Sequence, residues 1–388
     1  MTHAPLRHRM QVLPRRLVFA TVGLLGLASV AHAQGTLSTQ GFGYPPGGLS
    51  ARALGTAGAT GEFDLLSALN PAAITEIGTG LVTVQGQPEF RTVRVGDVSE
   101  RSRVQRLPLV GAGLRVGRVG VMITASTLLD RSFATQSVGS ALVDGRPVPT
   151  VDDYESRGAL TELRLGAGWQ WKSLRLGAAA VAVSGDNTVV RARTFPDSLR
   201  FGAVLDTASI GFQGVGAALG VNWRVKGGLL LGASLRVGGD LESVRSDSVV
   251  TRASVPGRVG AGILYDGLKG TILAAKVERV SWSAMNGLGT PATTARDVTN
   301  WSAGAEIFAG SLRAYPVLWR VGYASRQLPF LIGTTPVSER GLHTGVGVPI
   351  VGERAVIDIA AQRLQRRMTG DAAREDAWSV TVGLTVRP

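Results

Sequence analysis

Cysteine is absent from this 388-residue chain, which excludes a disulfide framework and thiol chemistry. Histidine is almost as scarce, because three of the four, His3, His8 and His32, lie in the first 33 residues. The fourth, His343, cannot by itself form a common zinc site and leaves little for Ser-His-Asp catalysis. We therefore expect no metal site, no cofactor and no enzymatic activity, with His343 as a side chain in a protein interior.

Long apolar runs are also missing. No stretch after residue 33 approaches the roughly 20 uninterrupted apolar residues of a transmembrane helix. The N-terminus carries four arginines, an apolar stretch from Leu17 to Val30 and the small-residue site Ala31-His32-Ala33, which together predict a cleaved signal peptide over residues 1–33. The chain is nevertheless 44% hydrophobic with 52 glycines. Export without a spanning helix favours an outer-membrane β-barrel over a soluble domain.

Alternation of apolar and polar residues is the main pattern present. From Val215 to Val237 the odd positions are mostly large and apolar, and the even ones carry glycine, serine and charge. A period of two places these sets on opposite faces of a strand. We count fourteen strand candidates, at approximately 79–95, 103–116, 118–129, 157–171, 173–185, 212–226, 228–238, 254–265, 270–283, 298–309, 311–324, 338–350, 354–366 and 375–387.

The connections between these candidates alternate in length. The short ones are 117–118, 172, 227, 266–269, 310 and 352–353. The long ones are 130–156, 186–211, 239–253, 284–297, 325–337 and 367–374. Outer-membrane barrels have short periplasmic turns and longer extracellular loops in this order. The sequence therefore predicts that residues 79–388 form an all-β, antiparallel transmembrane barrel of about fourteen strands. Trp169, Trp171, Trp223 and Tyr265 lie near predicted periplasmic turns, as an interfacial aromatic girdle requires.

The polar parity of the strands predicts the residues that line the lumen. Beside His343, they are Arg115, Glu162, Arg164, Arg175, Arg224, Arg236, Lys276, Glu278, Glu306, Arg320, Asp358 and Arg387. Two interpretations remain open: the charges pair across strands and fill the interior, or they form a positive path for an anionic head group. Without residues 1–33 the formal net charge falls from +13 to +9, which suits lipopolysaccharide phosphates but shows no nucleic-acid-binding pattern.

Residues 34–78 differ from the rest, since they are rich in Gly, Ala and Pro and show no strand pattern. A short helix is expected over Asp64–Leu69, ending at Asn70-Pro71. The Asn70 side chain is expected to hold a turn by bonding nearby backbone. The glycine-rich run 55–61 lacks the Gly-Lys-Ser/Thr of a phosphate loop. Gly55, Gly58 and Gly61 are instead expected to let the segment fit closely against a barrel wall.

This segment carries a resemblance to a known family. Arg52-x-Leu-Gly-x-Ala-Gly-Ala, Asp64 and Ser67-Ala-Leu-Asn70-Pro71-Ala72 resemble the N-terminal signature of the FadL/TodX outer-membrane transporters of hydrophobic compounds. PorV-type proteins share a similar signature. Residues 312–388 are also similar to the family. The resemblance implies an N-terminal plug, residues 34–78, inside a fourteen-strand barrel, with lateral ligand exit beside a kinked strand. Strand 118–129 has no Pro or Gly after Gly120 to mark such a kink.

The leading functional hypothesis is passive transport of small hydrophobic or amphipathic molecules, such as fatty-acid-like or aromatic compounds, across the outer membrane. A PorV-like partner of protein secretion or surface attachment is the alternative, and a purely structural barrel is the third. Expected partners are outer-membrane lipid, lipopolysaccharide and a hydrophobic small-molecule ligand. The protein is expected to be a monomer. The candidate plug or gate residues are Gly55, Gly58, Asp64, Asn70, Pro71 and Ala72.

Overall fold

A computed structural model describes the chain from residue 39, with a few gaps. It describes residue 39 and residues 42–387 except for 198–199, 201, 289–293, 313–314, 333, 351–353 and 369–372. The predicted signal peptide, residues 1–33, lies outside the described residues.

The fold is a single antiparallel sheet that closes on itself. Its strands are β1 Gly80–Val95, β2 Val98–Arg106, β3 Leu109–Val116, β4 Val119–Asp130, β5 Phe133–Val143, β6 Arg146–Trp171, β7 Leu174–Thr194, β8 Val204–Arg224, β9 Leu229–Arg245, β10 Ser248–Ser254, β11 Gly257–Leu268, β12 Thr271–Ser281, β13 Val298–Leu312, β14 Tyr315–Ile332, β15 Thr335–Ile350, β16 Ala355–Met368 and β17 Ala373–Val386. Its short helices are α1 Ala51–Gly55 and the 3₁₀ helices Pro71–Glu76, Lys226–Gly228 and Trp282–Leu288.

Three pairs of these strands are each one barrel strand with a break, so the barrel has fourteen strands. β2 and β3 pair with successive halves of β1, and β10 and β11 with successive halves of β9. The breaks fall at Leu107-Pro108 and Val255-Pro256, because proline has no N–H to donate to a ladder. β4 and β5 likewise pair with successive halves of β6. The predicted closed barrel of about fourteen strands is confirmed.

The predicted long loops are largely wrong, because most of these segments continue as sheet. β6, β7 and β8 are 26, 21 and 21 residues long. The predicted loop 130–156 is instead a hairpin with a two-residue turn at Asp144-Gly145, and 239–253 turns at Ser246-Asp247. All four turn residues have positive φ, as tight hairpins require. The Asp-Gly pair is a sequence signal that the loop assignment overlooked. The turn predicted at Gly310 is a bulge within the β13–β14 pairing.

The two faces of the sheet follow the predicted parity. Leu231, Leu235 and Val237 are exposed on the outer face, whereas Arg236 is buried on the inner face. The strand ends nearest the chain termini form what we call the terminal end of the barrel, and the opposite end is the distal end. Trp169, Trp171, Trp223 and Tyr265 all point outward near the terminal end. Their positions match those of an interfacial aromatic belt.

We expect the cost of an outward arginine to depend on its depth in a bilayer. Leu231 pairs with Trp223 and so lies level with the aromatic belt, while Leu235 lies four residues further into the band. Leu235→Arg should cost roughly 2–4 kcal/mol and Leu231→Arg about 0–1 kcal/mol. Unfolding of both variants by denaturant in lipid bilayers checks this. Equal costs, or no cost at Leu235, would contradict the assignment of the outer face to lipid.

None of the helices in the described part of the chain is long and apolar enough to cross a membrane.

Candidate functional site

Residues 42–78, here called the N-terminal segment, pack against the inner face of the sheet around most of its circumference. α1 contacts β14 to β17, while the 3₁₀ helix Pro71–Glu76 contacts β4, β6, β7 and β8. Between them, Phe63 packs among Leu230, Leu264 and Ala274 of the wall. Almost all of the segment from Phe42 to Ile77 is buried. The segment therefore occupies the barrel interior.

The Asp64 carboxylate stabilises the first part of the segment through hydrogen bonds. Its Oδ2 accepts hydrogen bonds from the hydroxyls of Ser50 at 2.5 Å and Ser67 at 2.6 Å. Ser50 also caps α1, because its Oγ accepts from the backbone N–H of Ala53 at 3.0 Å. Residues that resemble the family signature therefore stabilise the local fold of the segment. Arg52 and Leu54, which belong to the same signature, lie on the capped helix.

Asn70 links the second part of the segment to the wall. Its Oδ1 accepts from the N–H of Ala72 at 2.9 Å, and its Nδ2 donates to Oδ1 of Asn222 on β8 at 2.9 Å. The expected side-chain turn at Asn70 is thus present. The helix predicted over Asp64–Leu69 is wrong: Asn70 caps a 3₁₀ helix that begins at Pro71. Proline suits the first helical position, where its missing N–H costs nothing.

Glycines on the wall provide the space for this close approach. A Cβ on Gly177 or Gly220 would collide with Pro71 or Asn70, and one on Gly322 with Thr56. Of the three segment glycines predicted to approach the wall, only Gly55 does so, since a Cβ there would lie 3.0 Å from Arg320 Cβ. The prediction is wrong for Gly58 and Gly61, because a Cβ on either glycine would meet Leu49 of the segment itself.

The predicted lumen charges form ion pairs with one another and with the segment. Glu306 accepts from Arg320 at 2.6 Å and from Arg52 of the segment at 3.1 Å, and Arg320 also pairs with Asp358 at 2.6 Å. On the opposite wall Glu162 pairs with Arg164 and with Arg236. This geometry favours the first of the two open interpretations, in which the charges pair and fill the interior.

The remaining predicted lumen residues also have identified positions. Lys276 pairs with Glu278 at 3.1 Å, and Nδ1 of His343 hydrogen-bonds to the backbone oxygen of Leu54 at 2.9 Å. Three others lie toward the terminal end. They are Arg115, which donates to the backbone oxygens of Thr75 and Ile77, Arg175, which pairs with Glu76, and Arg224, which pairs with Asp266. Arg387 continues the terminal ladder through its backbone bond to Arg354.

Tyr44 is the centre of a cluster that the sequence reading missed. The guanidinium groups of Arg106, Arg366 and Arg326 lie 4.8, 4.7 and 5.6 Å from its ring centroid. Its hydroxyl donates to Oε2 of Glu339 at 3.0 Å. Burial raises the pKa of the Tyr44 hydroxyl above its usual value, so the group stays a donor.

One carboxylate, Glu89, is shared by two arginines of this cluster and by Arg91. Glu89 accepts from Arg91 at 2.6 Å, from Arg106 at 2.7 Å and from Arg366 at 2.9 Å, and all four side chains are buried. Extending the inward parity along β1 and β16 from Gln85 and Asp358 would have found Glu89 and Arg366. The contribution of Tyr44 was not visible, because it lies outside any strand pattern.

The barrel wall is interrupted beside Tyr44. Among the described residues, β2 forms a ladder with β1 alone and β5 with β6 alone, so the ladder between the second and third barrel strands stops at Leu109 and Ser126. The third strand is interrupted at Arg131-Ser132, where the Asp130 side chain accepts from the N–H of Ser132 at 3.0 Å. This break lies just beyond the predicted strand 118–129 and involves neither Pro nor Gly.

The N-terminal segment closes this gap from inside. Tyr44 and Asp130 exchange backbone hydrogen bonds of 2.7 and 2.8 Å, as adjacent strand residues do. Arg106 crosses the gap to pair with Asp130 at 2.6 Å. We call Tyr44, Arg106 and Asp130 the latch.

An apolar cluster lies in the distal half of the interior next to the latch. Phe42 meets Trp282 edge to face, with ring centroids 6.1 Å apart. Around them pack buried apolar residues that include Leu128, Leu129, Leu160, Phe212, Leu241, Val255, Met285, Leu328 and Phe330. This cluster can take an apolar ligand by hydrophobic contact.

The space now left in the interior is small. Two cavities, of about 40 and about 60 Å³, lie between the segment and the wall near Arg326. Both are far smaller than the roughly 300–1,000 Å³ of an ordinary ligand pocket. A hydrophobic ligand can pass only if the segment or the apolar cluster moves. In the described residues no group of three or more acidic or histidine side chains could hold a metal ion.

Comparison with known proteins identifies the fold. No family model and no curated protein matches the chain. Among solved structures, it is similar to a FadL homologue of Pseudomonas aeruginosa, with TM-score 0.59 and 11% identity over 88% of this chain and 98% of that one. It is similar to the toluene transporter TodX of Pseudomonas putida, with TM-score 0.58 and 15% identity over 87% and 97%. It is also similar to the toluene transporter TbuX of Ralstonia pickettii, with TM-score 0.56 and 16% identity over 88% and 98%. The chain therefore has the fold of the FadL-type transporters.

Proposed function

We propose that this protein is a passive outer-membrane transporter of small hydrophobic or amphipathic molecules, which leave the barrel sideways between β2 and β5. The interrupted wall beside a buried apolar cluster carries the proposal. The gap starts at Leu109, nearer the terminal end than Phe90, so it leaves backbone groups without ladder partners at a depth where lipid offers none. Such a gap is explained if it serves as an exit for an apolar ligand.

Placement in the outer membrane is supported by the outer face. It exposes many Val, Leu, Ile and Trp side chains, and the aromatic belt lies near the terminal end. The short turns at that end would face the periplasm, with the long hairpins outside. Two of the similar solved structures are described as toluene transporters, which supports transport over catalysis.

In this route the ligand enters at the distal end and rests among Phe42, Trp282 and their neighbours. It then passes Leu129 and Leu160 to the gap once the latch opens. The N-terminal segment acts as the plug that prevents leakage toward the periplasm. Its predicted gate residues, Gly55, Gly58, Asp64, Asn70, Pro71 and Ala72, keep it folded and attached to the wall. The route needs no energy source, because ligand moves down its gradient.

The absence of cysteine makes a reversible lock possible. Tyr44 and Asp130 are directly opposed, and such hydrogen-bonded pairs have Cα atoms about 5.5 Å apart, within reach of a disulfide. Tyr44→Cys with Asp130→Cys should therefore join the segment to β4. We expect uptake of a fluorescent hydrophobic tracer into proteoliposomes to stop when the pair is oxidised. Reduction should raise uptake above that of the unmodified protein, because the latch side chains are then gone.

A matched pair, Ala141→Cys with Val148→Cys, places a disulfide across facing residues of the distal hairpin away from the gap. It should leave tracer uptake the same in both redox states. Uptake that is insensitive to the lock at Tyr44 would contradict exit through this gap. The secretion-partner alternative stays a prediction, and co-purification of a large translocon with the tagged protein tests it.

A further inference from the structure

A dense group of arginines lies on the outer face of the barrel at the distal end of β2, β1, β17, β16 and β15. Cross-strand pairing orders the outward side chains there into three rows. The first row, at the edge of the apolar band, reads Arg103, Phe90, Trp378, Arg363 and Leu342. The second reads Arg101, Thr92, Asp376, Gln365 and Arg340, and the third reads Ser99, Arg94, Arg374, Arg367 and Ser338.

These rows are strongly unbalanced in charge. The fifteen outward positions hold seven arginines and one carboxylate, Asp376. Asp376 lies 3.3 Å from Arg94 and 3.7 Å from Arg367, so one acid is shared between two cations. Two exposed arginines elsewhere in the distal hairpins each pair with one acid, Arg157 with Glu155 and Arg252 with Glu242. We call the seven arginines and their two aromatic neighbours the basic belt.

The aromatic residues fix the belt at an interface. The Arg103 guanidinium lies 5.4 Å from the Phe90 ring centroid, and that of Arg363 lies 5.8 Å from a ring of Trp378. Both aromatic side chains are about half exposed, and apolar positions such as Val382 and Leu384 follow below them. Aromatic residues in such positions mark the level of lipid head groups. The arginines just beyond them therefore lie where those head groups would be.

A depression on this surface gives a ligand room. It has a volume of about 380 Å³, and its lining includes three outward arginines, one acid and both aromatic residues: Arg94, Arg101, Arg363, Asp376, Phe90 and Trp378. Arginine holds phosphate through paired N–H donors in a fixed planar geometry. Several arginines around one depression thus suit a ligand with more than one phosphate, whose acyl chains would lie along the apolar wall below.

We propose that the basic belt is a binding site for the phosphates of a glycolipid in the outer leaflet. This inference rests on the outer-membrane placement proposed above, but not on transport. The phosphates would contact Arg101 and Arg363 in the depression and Arg374 in the row beyond it, and the acyl chains would run past Trp378 toward Val382. The lipid would then be held beside the strand pair that closes the barrel, next to β2, which borders the exit gap.

The test compares two variants that lose the same charge. Arg101→Gln, Arg363→Gln and Arg374→Gln together remove three positive charges from the belt. Arg146→Gln, Arg245→Gln and Arg252→Gln remove three from distal hairpins and form the control. Each full-length protein in detergent is titrated with lipid A carrying two phosphates, and bound lipid is counted by native mass spectrometry. Lipid A without phosphates and inorganic phosphate are the two comparison ligands.

We expect the belt variant to bind lipid A about tenfold more weakly or worse, and the control variant to bind as the unmodified protein does. Removing the phosphates should abolish the difference between the proteins. Equal weakening of both variants, or no preference for phosphorylated lipid, would overturn the proposal. Full competition by millimolar inorganic phosphate would overturn its assignment to a lipid. Tracer uptake by the belt variant is measured in parallel, because loss of uptake with unchanged lipid binding bears on the transport proposal alone.

Discussion

Deletion of residues 34–78 should leave a folded barrel that leaks small polar solutes. The N-terminal segment fills the interior mainly through side-chain and packing contacts, while the wall is held by its own backbone ladders. Arginines that now bond to the segment, such as Arg115 and Arg164, would be hydrated in a water-filled lumen. We expect retained heat-modifiable migration in gels, together with rapid entry of a small sugar into proteoliposomes.

Asn70→Ala is the milder form of this experiment. It removes the cap of the 3₁₀ helix and the bond to Asn222 but leaves Asp64 and its hydroxyl partners intact. Tracer uptake should change without leakage of the sugar. Removal of residues 139–150 from the distal β5–β6 hairpin is the control deletion, and no leakage of the sugar is expected from it. If deletion of 34–78 changes neither tracer uptake nor sugar entry, the segment is not a plug.

Glu89→Ala should produce the largest loss of stability from a single substitution. Glu89 is the carboxylate that Arg91, Arg106 and Arg366 share, in a place where all are buried. Removing one partner of a buried ion pair leaves an uncompensated charge and costs roughly 3–5 kcal/mol. Here three cations lose a partner at once, although Asp130, Glu339 and Glu375 still neutralise part of the charge. Denaturant unfolding in lipid bilayers measures the cost.

The same substitution should also weaken the latch. Arg106 and Arg366 both lie over the Tyr44 ring, and Glu89 holds both. We therefore expect Glu89→Ala to raise hydrophobic tracer uptake where the protein remains folded. Glu100→Ala removes an exposed acid from β2 and should change neither stability nor uptake. A Glu89→Ala protein as stable as the Glu100→Ala protein would show that the cluster does not need this carboxylate.

The sequence by itself determined the wall of the barrel. Side chains alternate strictly along a strand, and a one-residue shift would exchange its two faces. The apolar pattern was therefore enough to assign Leu231 and Leu235 to the outer face and Arg236 to the inner face. The same alternation identified Glu162, Glu306, Arg320 and Asp358 as inward residues. The side-chain turn at Asn70 could also be predicted from the sequence, because Asn70 bonds a backbone N–H only two residues further on.

Tertiary structure decided what those residues contact. Tyr44 meets Asp130, Arg106 and Arg366 across 62 to 322 positions of chain, and no local pattern encodes such a meeting. The length of the hairpins was underestimated, because ladder hydrogen bonds extend strands beyond their most regular alternation. The basic belt appears only when β1, β2, β15, β16 and β17 are aligned in register, since its arginines lie far apart in the sequence. Closure of the barrel pairs the first and last strands and so assembles the belt, which β2 extends to the edge of the exit gap.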